Sequence, residues 1–566
     1  MKAINFDNCI ESYDKSLFYK NDYSINCADP GALWVSKEMN EEWGGYFYIY
    51  LTGEIHNKEE VGDKISAYKC YRSKDLSTWE VIGQAQNGGC LKVEDDAWAY
   101  RFFWAPEVTY NPADKKFYIF YSAGSKLAGE NTEYTANEED MWSGLYLSIA
   151  VSDTPAGPFV MVDSKDMPGG VNLNGDVLSR FNPTINFEKK LNIGHTWSAI
   201  DVSPFWAPDG SLYIYFAKHC DKYHKGICVY GMKMKDIVTP DYSTLTKLTH
   251  ASVKQVIGKA GELDAEKGEE EIREGGVNEG PFMTYHNGKY YLTYSPFGYG
   301  SREYSIMQAV SDNPLGPFNK VAREVGNPSL GINSTNDYIA GTGHHNFAYA
   351  DGEIIAVYHA HKDPVEPYVP GGGFKGRVLA VDKMHFVYNE ELGYDILMGN
   401  GPTTSLQPVA RVTATYLNKA MNAKIVSNAV SGEKHLNDDL FTTQPFDWHK
   451  EAEFDKTAQI ELAFDKAQKV KAVMVYNSAD YKYAFDKVDK IVYTLSSGEQ
   501  VCVENVLCDE ANVCREKQFM RQGGSAIAVT EELEVTKIEI TVSSKYDNDN
   551  ETIKISDIAI LAKRDV

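Results

Sequence analysis

Hydrophobic and polar positions alternate through most of this 566-residue chain, and the alternation comes in two styles. In the first two thirds, five segments repeat a short polar turn followed by an aromatic-aliphatic strand: Gly44-Gly45-Tyr46-Phe47-Tyr48-Ile49-Tyr50, Asp114-Lys115-Lys116-Phe117-Tyr118-Ile119-Phe120-Tyr121, Asp209-Gly210-Ser211-Leu212-Tyr213-Ile214-Tyr215-Phe216, Asn287-Gly288-Lys289-Tyr290-Tyr291-Leu292-Thr293-Tyr294 and Asp351-Gly352-Glu353-Ile354-Ile355-Ala356-Val357-Tyr358-His359. Asp-Gly and Asn-Gly are strong hairpin signals because both residues tolerate positive φ. A second strand and an outer turn follow most copies: Ser148-Ile149-Ala150-Val151-Ser152-Asp153 before Pro155 is echoed by Met307-Gln308-Ala309-Val310-Ser311-Asp312 before Pro314, and more loosely by the stretch from Tyr71 to Trp79. Units recurring roughly every 60 to 95 residues predict the blades of a five-bladed propeller. A sandwich would also show short strands and turns, but would not repeat the hairpin and its following strand together.

After Pro402 the repeat stops. Ile460, Leu462 and Phe464, then Val473 and Val475, then Ile538, Ile540 and Val542 alternate strictly with polar residues, as half-buried strands of a β-sandwich do. The expected fold is all-β: a five-bladed β-propeller over residues 1–405, followed by a jelly-roll sandwich over residues 406–566.

Composition narrows the partners. With 37 Tyr, 24 Phe and 9 Trp the chain is rich in rings that pack sheets and also make platforms for sugars. A formal net charge of −24 disfavours nucleic acid and anionic membrane surfaces, and leaves a neutral carbohydrate unaffected. Nine scattered cysteines, an odd count, argue against an obligatory disulfide framework. The start, Met1-Lys2-Ala3-Ile4-Asn5-Phe6-Asp7, lacks the apolar core of a signal peptide, and no later run is long enough to span a bilayer. A cytoplasmic protein is expected as the sequence stands; a secreted one whose export signal had been removed reads the same. His219, Cys220, His224 and Cys228 have zinc-ligand chemistry, but ordinary loop residues and a buried Cys228 are preferred. The acidic stretch Glu262–Glu271 is expected to be a solvated loop or short helix near the site rim.

Three acids sit at corresponding places in the repeat: Asp29 in Ala28-Asp29-Pro30, Asp201 in Ile200-Asp201-Val202-Ser203, and Glu279 in Asn278-Glu279-Gly280-Pro281. Each lies just before a turn and an aromatic-rich strand, so the repeat aims all three at one end of the ring. Breaking an acetal needs one carboxyl group to protonate the leaving oxygen and another to activate water. A third carboxylate nearby holds the donor's pKa high by repulsion. Singly, Asp29 before a proline and Asp201 near Pro204 also read as turn formers; together, on separate blades, they read as catalytic.

These motifs, with Trp104-Ala105-Pro106-Glu107-Val108 and Gly341-Thr342-Gly343-His344-His345, occur one per blade and resemble glycoside hydrolase family 43, over about residues 20 to 400. The resemblance implies that Asp29 is the general base, Glu279 the general acid and Asp201 the carboxylate that orients and tunes the acid, with inversion at the anomeric carbon. It further implies that His344 lies on the ring axis, where a largely water-held calcium ion is often found, that Arg377 reaches the sugar, and that Trp104 forms part of the sugar-binding wall. Buried packing for His344 and Trp104, and an exposed strand position for Arg377, are the structural alternatives. The segment His435-Leu436-Asn437-Asp438-Asp439, Trp448, and the terminal Ile555–Ile560 resemble more loosely the discoidin group of galactose-binding-like sandwiches, in which Trp448 or Tyr481 would contact sugar; packing against the propeller is the alternative. The expected activity is removal of terminal pentoses from plant cell-wall glycans, as an α-L-arabinofuranosidase or β-xylosidase. β-Galactofuranosidase or endo-arabinanase action on the same scaffold, a non-catalytic carbohydrate-binding propeller and a phosphorylase are the competing readings.

Overall fold

The computed structural model describes residues 13–56, 64–94, 97–125, 145–163, 199–219, 227–251, 274–323, 325–331, 339–361, 376–441, 451–509, 513–514 and 518–565. Five antiparallel sheets of four or five strands follow one another along the chain. Their first strands, which become the inner strands of the ring, are Gly31–Val35, Ala99–Asn111, Ala199–Trp206, Asn278–His286 and Ala340–Ala350. Each pairs with the strand that follows it. The turns behave as their dipeptides require: Asn287 and Gly288 have φ of 46° and 82°, and Asp351 and Gly352 have φ of 50° and 78°.

The alternation of aromatic and aliphatic residues has a direct packing consequence. An apolar cluster fills the space between each pair of neighbouring blades. Tyr50 meets Tyr121, Phe120 meets Ile214, Tyr215 meets Leu292, Phe282 meets Phe347, and Ile49 meets Val357. The last pairing joins the fifth sheet to the first and closes the ring.

The closure also places the site. Residues 21–27 run along the edge of the fifth blade: Asn21 exchanges two hydrogen bonds with the Val381 backbone, the Cys27 N–H donates to the Arg377 carbonyl (2.9 Å), and the Leu379 N–H donates to Ile25 (2.9 Å). Phe18–Tyr19 pairs with Gln407–Pro408 just beyond the last blade. Asp29 is thereby delivered next to a blade that begins some 310 residues later in the chain.

From Tyr416 onward, eight strands form one antiparallel sheet folded into two layers. The long strands Ala458–Asn477 and Ser525–Val542 pair with each other on both sides of irregularities near Ala463–Gln468 and Val470–Ala472, where they bend from one layer to the other. Ile460, Leu462, Val473, Val475, Ile538, Ile540 and Val542 all point into its core. Its outer face, through Met474, Tyr476 and Leu561, covers Leu17, Phe18 and Leu406 of the ring-closing segments. Trp448 lies outside the described residues; Tyr481 stacks on Tyr546 at a centroid distance of 5.7 Å.

Candidate active site

One backbone device recurs on the inner strands. Asp29, Ala105, Asp201, Gly280 and His344, one from each blade, have φ of 44°, 45°, 59°, 55° and 47°. In four blades the ladder register shifts at the same place: Trp104/Glu107, Ile200/Ser203, Glu279/Phe282 and Gly343/Asn346. These are bulges, and a bulge re-aims a side chain that would otherwise follow the pleat. Left-handed conformations at non-glycine residues cost on the order of 1–3 kcal/mol each, a cost seen where function over-determines the backbone. Here they turn Asp29, Asp201 and His344 toward the axis, and a cleft lined by Asp29, Asp201, His344, Gly280 and Pro106 opens there.

Within this cleft Asp29 is held by cations and donors. Arg377 Nη1 donates to its Oδ1 at 2.5 Å, His344 Nδ1 is 3.2 Å away and His359 Nδ1 3.6 Å away. Burial by itself raises the Asp29 pKa, but Arg377, His344 and a hydrogen bond from Thr52 together bring it below the ordinary carboxylate value. Asp29 is therefore ionised at any pH near neutrality. His344 is kept neutral, chiefly by burial.

The other two acids behave oppositely. Glu279 is only 8% exposed; burial lifts its pKa to about 7, against the lowering effect of the Tyr304 hydroxyl, which donates to Oε1 at 2.9 Å. Asp201 is buried, accepts from the Gly280 N–H at 3.0 Å, and is pushed up by burial and then by the charge of Glu279. Both carboxyl groups are thus biased toward their protonated forms, each by burial first. An ionised carboxylate and a proton-bearing pair in one cleft are the acid/base assignment that acetal cleavage needs.

The structure thus brings together Asp29, Asp201, Glu279, His344 and Arg377. Trp104 packs on Phe102 at 5.1 Å, and its neighbours Ala105 and Pro106 line the cleft. Several site residues escape sequence reasoning. Tyr304 and Tyr299, whose ring lies 4.4 Å under the Arg377 guanidinium, both come from the loop between Lys289–Pro296 and Met307–Ser311. His359, fully buried, stacks on Tyr304 (5.3 Å, 8°). Thr52 ties blades together by accepting from the Ala105 N–H at 2.8 Å. The only hint of His359 was its place in the strand Tyr358-His359-Ala360-His361.

Around His344 the donor set does not suit a protein-held calcium. Calcium takes six to eight oxygen ligands, whereas Nδ1 of His344 faces Asp29 and no group of three His, Cys, Asp or Glu able to hold an ion is found among the described residues. No chemical step is therefore assigned to a metal. Cys228 is disulfide-bonded and so not a zinc ligand; Cys220, His224 and the acidic stretch 262–271 lie outside the described residues.

Comparison with known proteins was made against this geometry. The sequence matches Glycosyl hydrolases family 43 over residues 40–173 and 176–390. A β-D-galactofuranosidase of Aspergillus niger is 23% identical over 363 residues, covering 62% of this chain and 80% of its own. A xylosidase/arabinosidase of Humicola insolens is 24% identical over 357 residues, 59% of this chain and 88% of its own. Among solved structures, a thermostable family-43 glycoside hydrolase covers 69% of this chain and 99% of its own at 27% identity, with a TM-score of 0.46.

Proposed function

The chain belongs to glycosyl hydrolases family 43 and is a glycoside hydrolase, and from that premise we propose that it removes a terminal pentose, as an α-L-arabinofuranosidase or β-xylosidase, from plant cell-wall oligosaccharides or polysaccharides with inversion. The observation that carries this reading is the convergence of three buried acids on different blades, Glu279 held by Tyr304, Asp201 by the Gly280 N–H and Asp29 by Arg377. Glu279 gives its proton to the glycosidic oxygen as the bond to the anomeric carbon breaks. Asp29 takes a proton from a water molecule whose oxygen bonds to that carbon from the opposite face. Asp201 keeps Glu279 protonated until it is needed, and Arg377 and His344 fix the orientation of the base.

Arg377 stacked on Tyr299 offers a cation and an aromatic face at the edge of the cleft, which suits the hydroxyls and the apolar face of one sugar ring. The names of the Humicola and Aspergillus relatives support pentose and galactofuranose substrates as the first to try. The test is release of 4-nitrophenol from α-L-arabinofuranoside, β-D-xyloside and β-D-galactofuranoside, with and without phosphate. Phosphate-independent release from the arabinoside or xyloside is expected. Preference for the galactofuranoside would move the substrate assignment, phosphate dependence would favour a phosphorylase, and silence on aryl and polymeric substrates alike would favour a sugar-binding protein.

A further inference from the structure

The ring has a second mouth. Following each inner strand past its bulge leads to a cavity of about 410 Å³. All five blades contribute to it, two to seven residues beyond the site positions, or about 7–23 Å at strand rise. Its lining includes Phe205, Trp206, Phe282, Tyr285, Phe347 and Tyr349. Glu107 and Asn346 line both this cavity and the catalytic cleft, so they form the partition between the two.

The chemistry of this cavity is that of a receptor for a neutral polyhydroxy ligand. Its volume falls in the range of small-molecule sites. Tyr285 and Tyr349 stand at the rim with 40% and 46% of their surfaces exposed, and the Tyr349 hydroxyl is hydrogen-bonded to Thr284. Trp206, part of whose ring is exposed, adds an aromatic wall to the cavity. At the floor, Glu107 accepts from Ser203 Oγ (3.1 Å); burial pushes its pKa far up, so it presents a neutral carboxylic acid able both to donate and to accept. Among the described residues no Lys or Arg lines the cavity, which disfavours anions.

We propose that the end of the propeller opposite the catalytic acids is a second carbohydrate-binding site, holding one or two sugar units of a neutral pentose oligosaccharide against Trp206, Tyr285 and Tyr349. The choice of a saccharide as occupant rests on the hydrolase reading, whereas the cavity and its aromatic rim do not. A second site on the far face would keep the enzyme on a polymer between cleavage events.

Calorimetric titration of the full chain carrying Glu279→Gln, with xylotriose and with arabinotriose, tests this. Two binding events per chain are expected for at least one probe. Tyr285→Ala with Tyr349→Ala should weaken one of them by about tenfold or more, and should leave kcat/KM on the aryl pentoside within about twofold in the otherwise wild-type enzyme. Trp206→Ala, which removes a ring from the cavity wall, should weaken the same event about fivefold, and serves if the double change perturbs folding. A single event insensitive to all three changes, or no binding of either probe, overturns the second site. Hydrolysis by the unmodified protein, measured in parallel, reports separately on the catalytic reading.

Discussion

Burial and then the charge of Asp29 oppose ionisation of Glu279, and burial and then the charge of Glu279 oppose that of Asp201, while Asp29 beside them loses its proton to the field of Arg377. The pH dependence follows in sign. The donor must be protonated, so kcat/KM should fall as pH rises through about 7, where Glu279 titrates. The base must be ionised, so the acidic limb should lie below the ordinary carboxylate range. Tyr304→Phe removes a bond that favours ionised Glu279, and should move the basic limb to higher pH. Profiles of kcat/KM against pH check the direction, and a limb that stays put would contradict Glu279 as the group that sets it. Glu279→Gln should cost about 10²–10⁴-fold in turnover of natural glycosides, with unchanged circular dichroism. At this scale the three acids were legible because the hairpin repeat puts them in register. Tyr304, Tyr299 and His359 were not legible, since each reaches the site by a tertiary contact that no local pattern encodes.

At the scale of elements, the strand that carries Glu279 is anchored by a buried ion pair. Lys320 Nζ lies 2.5 Å from Glu274 Oε2, 3.0 Å from Asn278 Oδ1 and 2.8 Å from the His250 carbonyl, and the Tyr294 hydroxyl donates to Glu274 Oε1 at 2.9 Å. Lys320→Met strands a buried carboxylate and should cost about 3–5 kcal/mol of stability in chemical denaturation; adding Glu274→Leu should recover much of it. A single variant as stable as the parent would contradict this role. Between blades, a Cβ on Gly31 would sit 2.1 Å from the Pro106 carbonyl oxygen. Gly31→Ala should therefore push apart the first two blades at the cleft and lower both stability and turnover, measured by thermal melting and initial rates. Blade hairpins were readable from their Asp-Gly and Asn-Gly turns. The bulges were not, because positive φ at Ala105 has no signature in residue type, and Asp29 and Asp201, though tolerant of it, stand before no glycine that would mark a turn.

For the molecule as a whole, the five inter-blade clusters and the ring-closing segment mean that Asp29 is positioned by the last blade as much as by the first. The C-terminal sandwich leans on that closure. Tyr476 stacks on Phe441 at 4.7 Å and donates to Gln407 Oε1 at 3.1 Å, next to the Phe18–Tyr19 pairing. Tyr476→Ala should cost about 3–5 kcal/mol while leaving kcat on the aryl pentoside nearly unchanged well below the melting temperature, a split that melting curves and rates together would reveal. The propeller and the sandwich were visible in the change of alternation near Pro402; the covering of Leu17 and Phe18 by Met474 and Leu561 was not, since both faces read simply as apolar strand positions.

The central claim is a single displacement, with the proton leaving Glu279 and water entering under Asp29. Proton NMR of the first sugar released from an aryl pentoside, before mutarotation, tests it most directly. The account predicts that the anomeric configuration of the product is opposite to that of the substrate. A first-formed product of the same configuration would mean a covalent intermediate, and would contradict the assignment of Asp29 as the base.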